Sequence, residues 1–275
     1  MQGKLSIEQM CSLTRLSRST YYRHWLASRP LEADTWIRAQ LQSLALADRH
    51  CGYRRLTRKL QASGVVVNHK RVLRLMREDN LLSLRKKAFV PATTNSRHQW
   101  HVRHNLARGL TTTGLNQLWV ADITYIRLRQ QHVYAAVVLD AHSRRVVGWA
   151  VEDSLGVSLA IRALQMALDN RQPPPGLIHH SDRGVQYACP QYIRMLTAAG
   201  ILSSMSRVGN PYDNAKAESF MRTLKREEVN GYEYRDLTEL RERLGEFFEK
   251  TYNESRMHSA LGYLSPTAFE EKVPA

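Results

Sequence analysis

Apolar residues recur at helical spacing through the first 82 residues and at strand spacing from Trp119 onward. The chain therefore divides into an all-helical front and an α/β back. Ser6 can cap a first helix, Ile7 to about Leu13, with Glu8 and Gln9 in its first turn; Ser17 can cap a second carrying Tyr21, Tyr22 and Trp25. This pair, SIEQMCSLTRLSRSTYYRHW, reads as a helix-turn-helix within residues 1–30. A second helical unit follows over 31–82. In it Ile37, Leu41 and Leu44 keep the period, CGYRRLTRKL follows, Gly64 breaks the chain, and Asn68 caps a helix carrying Val72, Leu75 and Met76. Residues 83–117 have little periodicity and read as a basic linker.

From Trp119 the pattern alternates. Trp119, Ala121, Ile123 and Tyr125 take one face, and Val120, Asp122, Thr124 and Ile126 the other. A turn at 127–131 leads to VYAAVVLD, and AHSR leads to RVVGWAV, which predicts a three-stranded antiparallel meander. Ser154 is expected to cap a helix running to about Asn170, with Leu155, Leu159, Leu164 and Leu168 as its apolar stripe and PPPG as its stop. Leu177–Ser181 reads as a fourth strand, Tyr192–Ala199 as a helix and Ile201–Met205 as a fifth strand. A Gly-Asn-Pro turn and a helix bearing Glu218 close the series. Three strands, helix, strand, helix, strand, helix is the order of a ribonuclease-H-like core, a five-stranded mixed sheet with flanking helices. That core is expected over 118–232, with a helical extension over 233–275.

Charge placement adds a division of labour. The formal net charge is +15; residues 1–109 hold 21 Lys and Arg against 6 Asp and Glu, while residues 110–275 hold 19 of each. All the excess positive charge is therefore in the front, as expected of a segment that binds a polyanion through phosphate neutralisation. Arg18 and Arg23 of the first unit, and Arg54, Arg55, Lys70, Arg71 and Arg74 of the second, are the side chains expected to meet DNA. The competing reading is ordinary solvated basic helices. His98, His101 and His104 have HxxHxxH spacing, but without Cys or acidic partners they read as linker residues rather than a metal site. Three cysteines with no CxxC pair argue against a disulfide framework and a structural zinc. The longest apolar run, Val133–Leu139, is too short to span a bilayer, and the N-terminus has no apolar signal core. A cytoplasmic, nucleoid-associated protein is expected.

The candidate chemistry lies in Asp122, Asp182 and Glu218. Asp122 sits inside a strand, Asp182 ends another, and Glu218 stands on a helix with 35 residues between it and Asp182. Carboxylate oxygens are hard ligands suited to Mg²⁺ or Mn²⁺, and pairs of such ions run in-line phosphoryl displacement. A strand-centre carboxylate is costly unless paired or metal-bound. Asp140 reads as a turn-capping residue and Asp213 as an N-cap of the Glu218 helix. Lys225 lies seven residues after Glu218, on the same helical face, where it can meet a DNA phosphate. His179, His180 and Arg183 flank Asp182, and substrate-orienting and packing roles are both open to them.

WVADITYI, DAHSRRVVGW, HHSDRGVQY, SRVGNPYDNAKAESFMRTLKRE and YNESRMHSALGYLSPTAF resemble, in this order, the DDE transposases of bacterial insertion sequences. In particular they are similar to the second-reading-frame product of the IS-three family, within the retroviral-integrase superfamily. GYRRLTRKL resembles the helix-turn-helix before that family's core, and HVRHNLARGL its approach to the first strand. The resemblance implies that Asp122, Asp182 and Glu218 are a catalytic triad binding two Mg²⁺, with Mn²⁺ able to substitute, and that Lys225 contacts DNA. It implies cleavage and 3′-OH strand transfer on double-stranded DNA, at element ends and target, by homo-oligomers on paired ends. Family members also work as frameshift fusions with an upstream-frame product carrying a coiled coil. This chain has no heptad stretch, so it is expected to be the catalytic half or a variant that dispenses with the other. The paired-His, paired-Cys zinc domain of retroviral relatives is absent from its pattern. The rival readings are a nuclease of the same fold and a non-catalytic DNA-binding regulator.

Overall fold

The computed structural model describes residues 6–27, 32–83, 100, 102–129, 131–207 and 211–273. The chain forms two compact units, residues 1–84 and 85–275.

The first unit is all-helical. Helix α1 (Ile7–Thr14) opens with a reciprocal cap: the Ser6 hydroxyl accepts from the Gln9 amide, and the Gln9 side chain accepts from the Ser6 amide. Helix α2 (Arg18–Ala27) starts after Ser17, whose hydroxyl accepts from the Thr20 amide at 3.1 Å. Helices α3 (Glu32–Ala47), α4 (Tyr53–Ala62) and α5 (His69–Glu78) bury Ile37, Leu41, Leu56, Leu60, Val72, Leu75 and Met76 against one another. The Asn68 carboxamide caps α5 through the Lys70 amide at 2.9 Å. Asp34 of α3 is 1% exposed and clamps α5 through Arg71 at 2.6 Å and Arg74 at 2.8 Å.

The second unit is built on a five-stranded sheet ordered β3-β2-β1-β4-β5. Strands β1 (Leu118–Arg127), β2 (His132–Asp140) and β3 (Val146–Glu152) form the antiparallel meander, and β4 (Ile178–Ser181) and β5 (Leu202–Met205) add in parallel beside β1. Strict alternation makes two faces. Trp119, Ala121, Ala136 and Val138 meet α6 (Val157–Arg171) and α8 (Pro190–Ala198) on one face. A short α7 (Val185–Ala188), which the pattern did not predict, precedes α8. Gly148 of β3 lets α6 approach: a Cβ there would lie 2.2 Å from the Ala163 carbonyl oxygen and 2.6 Å from the Ala167 nitrogen.

Val120, Ile126, Val133, Val137 and Leu139 form the other face, under α9 (Ala215–Glu227) and the C-terminal segment. That segment contains α10 (Leu237–Glu246), a π-helical stretch (Phe247–Ser255) and α11 (Pro266–Glu270). Leu240, Leu244, Phe247, Phe248 and Tyr252 belong to the same buried cluster as β1 and β2. The core thus continues beyond residue 232, where periodicity placed its end, because an antiparallel-edged sheet needs a second apolar layer and α9 alone does not cover it. Three local expectations are corrected. Ser154 does not cap α6, whose N-cap is Gly156. Asp213 does not cap α9, whose N-cap is Asn214; its carboxylate instead takes the Arg207 amide and guanidinium. The 102–117 half of the expected linker is bound to the core, with the Leu106 amide on the Ser204 hydroxyl at 2.8 Å and the Asn116 amide on Asp140 at 2.7 Å.

Candidate active site

Register brings the first two carboxylates together. β1 and β4 run parallel with Trp119 opposite His179 and Val120 opposite His180. Asp122 is two residues beyond Val120, and Asp182, just past the end of β4, is two beyond His180, so the register directs the chain of both toward the same edge, where the Asp182 charge acts on Asp122. Adjacent strands are ~5 Å apart, and two charges at that separation repel by ~3 kcal/mol at an effective dielectric near 20. α9 lies over the Val120 face of the sheet. The carboxamide of its N-cap, Asn214, donates to the Ala121 carbonyl at 3.0 Å, and Ala217, Phe220, Met221 and Leu224 pack on the sheet. Glu218 therefore emerges from the first turn of α9 beside the β1 carboxylate.

The electrostatics follow from this packing. Burial, then the Asp182 charge, and less strongly Glu218, push the Asp122 carboxyl up to about 7, against hydrogen bonding from the Ile123 amide and the charge of Lys225. Burial also raises Glu218, which the charge of Arg222 opposes one helical turn away. Lys225 places its ammonium 4.2 Å from the centre of the Tyr125 ring, and burial lowers its pKa against the pull of Asp122. Asp182 Oδ1 accepts the Gly184 amide at 2.8 Å. Among the described residues, no three His, Cys, Asp or Glu side chains already close around a point that could hold a metal ion. In kind, carboxylate oxygens suit a hard divalent cation, and Asp122, which feels the charges of both Asp182 and Glu218, is held far above its ordinary range, first by burial and then by those charges.

Around the acidic centre, the open roles resolve toward packing. His179 is fully dry, its ring nitrogen Nε2 meets the Tyr192 hydroxyl at 3.0 Å, and burial depresses it to about 3. His180 bridges the Ser204 and Ser206 hydroxyls at 2.8 and 3.0 Å, and the Arg183 guanidinium donates to the Ser206 carbonyl. Asp140 caps its turn, as expected, through the His142 and Ser143 amides.

In the helical unit the basic residues separate. Lys70 is exposed at the start of α5. Arg71 and Arg74 hold Asp34 and so are structural first, although both keep partly exposed side chains. Arg54 lies against Tyr53, and Arg55 donates to the His50 carbonyl at 2.6 Å and faces Asp48. Arg18 is exposed and pairs with Glu8 at 2.9 Å. The side chain of Arg23, and residues His98 and His101, lie outside the described residues, while His104 is exposed. No described helix is long and apolar enough to cross a membrane.

Similarity to known proteins agrees with this geometry. Family profiles described as Integrase core domain match residues 113–211 and 199–266, and one described as HTH-like domain matches residues 34–89. The transposase InsF of insertion sequence IS3A from Escherichia coli is 35% identical over 98% of this chain and 96% of its own length. The chain belongs to the IS3 (IS-three) family of DDE transposases. An uncharacterized 31 kDa protein of insertion element IS600 from Shigella sonnei is 38% identical over 96% of this transposase and 98% of its own length. Among solved structures, a simian T-cell lymphotropic virus intasome matches with a TM-score of 0.50 at 17% identity, covering 86% of this chain and 76% of that one; it shares the fold.

The side chains beside the carboxylates that sequence reasoning missed are Tyr125, whose ring meets Lys225, and Arg222, whose charge acts on Glu218. Arg222 was legible as the i+4 neighbour of Glu218. Tyr125 gains its place only through its tertiary contact with Lys225.

Proposed function

We propose that this transposase cleaves and rejoins DNA at insertion-sequence ends, with Asp122, Asp182 and Glu218 as the ligands of two divalent cations, Mg²⁺ or Mn²⁺. The parallel register that directs Asp122 and Asp182 toward one edge, under the helix that carries Glu218, supports this reading most directly. When bound, the cations would activate the attacking oxygen and stabilise the leaving 3′ oxygen. The protein's own task is placement. β1 and β4 direct two carboxylates toward one edge, and α9 brings the third over them. Lys225, supported on Tyr125, offers a positive charge to a phosphate entering beside them. No covalent enzyme intermediate is needed: the nucleophile is water in cleavage and a DNA 3′-OH in strand transfer. Lys70, Arg54, Arg55 and the exposed parts of Arg71, Arg74 and Arg18 are proposed as phosphate contacts of the helical front. Assembly as a homo-oligomer on paired ends, with or without an upstream-frame product, belongs to the same proposal.

The test is excision and circle formation in cells, using a marked segment bounded by the element's own ends. This chain alone, or fused to an upstream frame, is expected to yield circle junctions that Glu218→Gln abolishes. Absence of junctions from both forms, or junctions that persist in Glu218→Gln, would overturn the assignment.

A further inference from the structure

We propose that Tyr187 is a positioning residue for the carboxylate site: its hydroxyl is the hydrogen-bond donor that holds Asp182 when a divalent cation is bound. The inference rests on the reading of the three carboxylates as cation ligands. Tyr187 is 3% exposed, and its hydroxyl is buried without a hydrogen-bond partner among the described residues. A dry, unpaired donor opposes folding, and such groups in native proteins call for a specific explanation. Tyr192 supplies an internal comparison. It is equally buried, with its ring 5.4 Å from that of Tyr187 in an edge-on contact, yet its hydroxyl meets His179 at 3.0 Å. Phenylalanine would fill the place of Tyr187 as well if packing were its only role.

The backbone of Tyr187 is tied to Asp182. Tyr187 lies on α7, which begins at the turn that Asp182 itself organises. Asp182 Oδ1 takes the Gly184 amide at 2.8 Å, and the Tyr187 amide donates to the Gly184 carbonyl at 3.0 Å. The turn is tight: a Cβ on Gly184 would lie 2.9 Å from Asp182 Oδ1 and 3.0 Å from Gln186 Oε1. The ring also packs 6.3 Å from His179 on β4, which fixes it under the strand that ends at Asp182. Burial first, then Tyr192 and the charges of Asp182 and Asp122, hold the phenol protonated. A phenol at neutral pH is a donor, and the anionic charges whose field this one feels are those of Asp182 and Asp122. Donors from outside the ligand set orient metal-binding carboxylates and strengthen their hold on the ion.

The experiment uses the full chain as wild type, Tyr187→Phe, Tyr192→Phe and Asp182→Asn. Mn²⁺ binding is titrated calorimetrically, and melting is followed in EDTA. Tyr187→Phe is expected to weaken Mn²⁺ binding about 10-fold while raising the metal-free melting temperature, because it removes an unpaired donor. Tyr192→Phe is expected to do the reverse: melting falls with the His179 bond, and Mn²⁺ binding stays. Wild-type Mn²⁺ affinity in Tyr187→Phe, or a lowered metal-free melting temperature, would overturn the role. If Asp182→Asn bound Mn²⁺ as well as wild type, the ligand reading itself would fall, and Tyr187 with it. If Asp182→Asn lost Mn²⁺ while Tyr187→Phe kept it, only the positioning role would fall. Should Tyr187→Phe prove insoluble, Tyr187→Leu lacks the same hydroxyl and is read by the same Mn²⁺ criterion.

Discussion

Replacing Asp122 by Asn should stabilise the metal-free protein, and the gain should depend on pH. The fold holds this carboxyl near 7, against an ordinary 3.8, through burial and then the Asp182 charge. In the dry limit that difference is worth ~4 kcal/mol; the side chain keeps some solvent contact, so ~2 kcal/mol is the better expectation. The sign follows from proton linkage. A carboxyl raised in the folded state contributes stability that is complete below pH 3.8 and lost as pH climbs through 7, because the folded chain binds the proton more tightly. At pH 8 the wild type therefore carries the full penalty of a buried charge, and at pH 4 it carries little. Asn carries none at either pH. For a core of this size ~2 kcal/mol corresponds to a melting shift of about 4–8 °C. Differential scanning calorimetry in EDTA, at half-unit steps from pH 4 to 8, should show Asp122→Asn melting above wild type by that amount at pH 8, with the gap closing toward pH 4. His179 and His180, held neutral by burial, lose stability in the opposite direction as pH falls below 6.5, but they act on both proteins and cancel in the difference. A variant that melts at or below wild type at pH 8, or a gap that ignores pH, would refute the electrostatic account of the site.

Other outcomes follow from the same geometry. Millimolar Mg²⁺ should raise the wild-type melting temperature by mass action and leave Asp122→Asn nearly unmoved, a contrast read in the same calorimeter. Gly148→Ala should cost about 3 kcal/mol or more, since the new methyl meets backbone atoms of α6 rather than a movable side chain; the loss is measured by urea melts or, if severe, by soluble yield. Asp34→Ala should destabilise the helical unit by ~1–2 kcal/mol at pH 7, discounted for the partly exposed arginines it frees. The Arg74 hydrogen bond holds the Asp34 carboxyl below its ordinary value, so this stability is present above pH 3.8 and lost below it; the gap between wild type and variant should shrink in acid. Residues 1–84 alone, with 15 Lys and Arg against 6 Asp and Glu, should bind duplex DNA with a log–log salt slope of about −4, whereas residues 110–275 should bind weakly. Equal affinities in a salt titration would dispose of the division of labour.

Alternation and some of the caps were legible from the chain alone because they are local properties, although the caps expected of Ser154 and Asp213 are not made. Val120, Asp122 and Thr124 took one face of β1 because successive strand residues must oppose, and Ser6, Ser17 and Asn68 start helices because their side chains satisfy amides within three residues. Asp122 and Asp182 stood out for the same reason: a carboxylate within or at the end of an apolar strand is conspicuous without any partner in view, whereas Glu218, on a helix, was marked by its interval from Asp182 and by the family resemblance. What lay beyond the sequence depends on distant segments meeting. Asp122 and Asp182 reach one edge only through the parallel register of β1 with β4, across 60 residues of chain. That Arg71 and Arg74 also clamp the buried Asp34 was not legible, because α3 brings that carboxylate to them only in the fold. Periodicity ended the core at residue 232 because a helical pattern records that one side is apolar, and not which surface it covers; the sheet face under Phe248 and Tyr252 decided that. Tyr187 was one aromatic among many in the chain. Only the packing of its ring against His179 and Tyr192 leaves its hydroxyl dry and within the field of Asp182 and Asp122, because solvation and field are set by the whole fold.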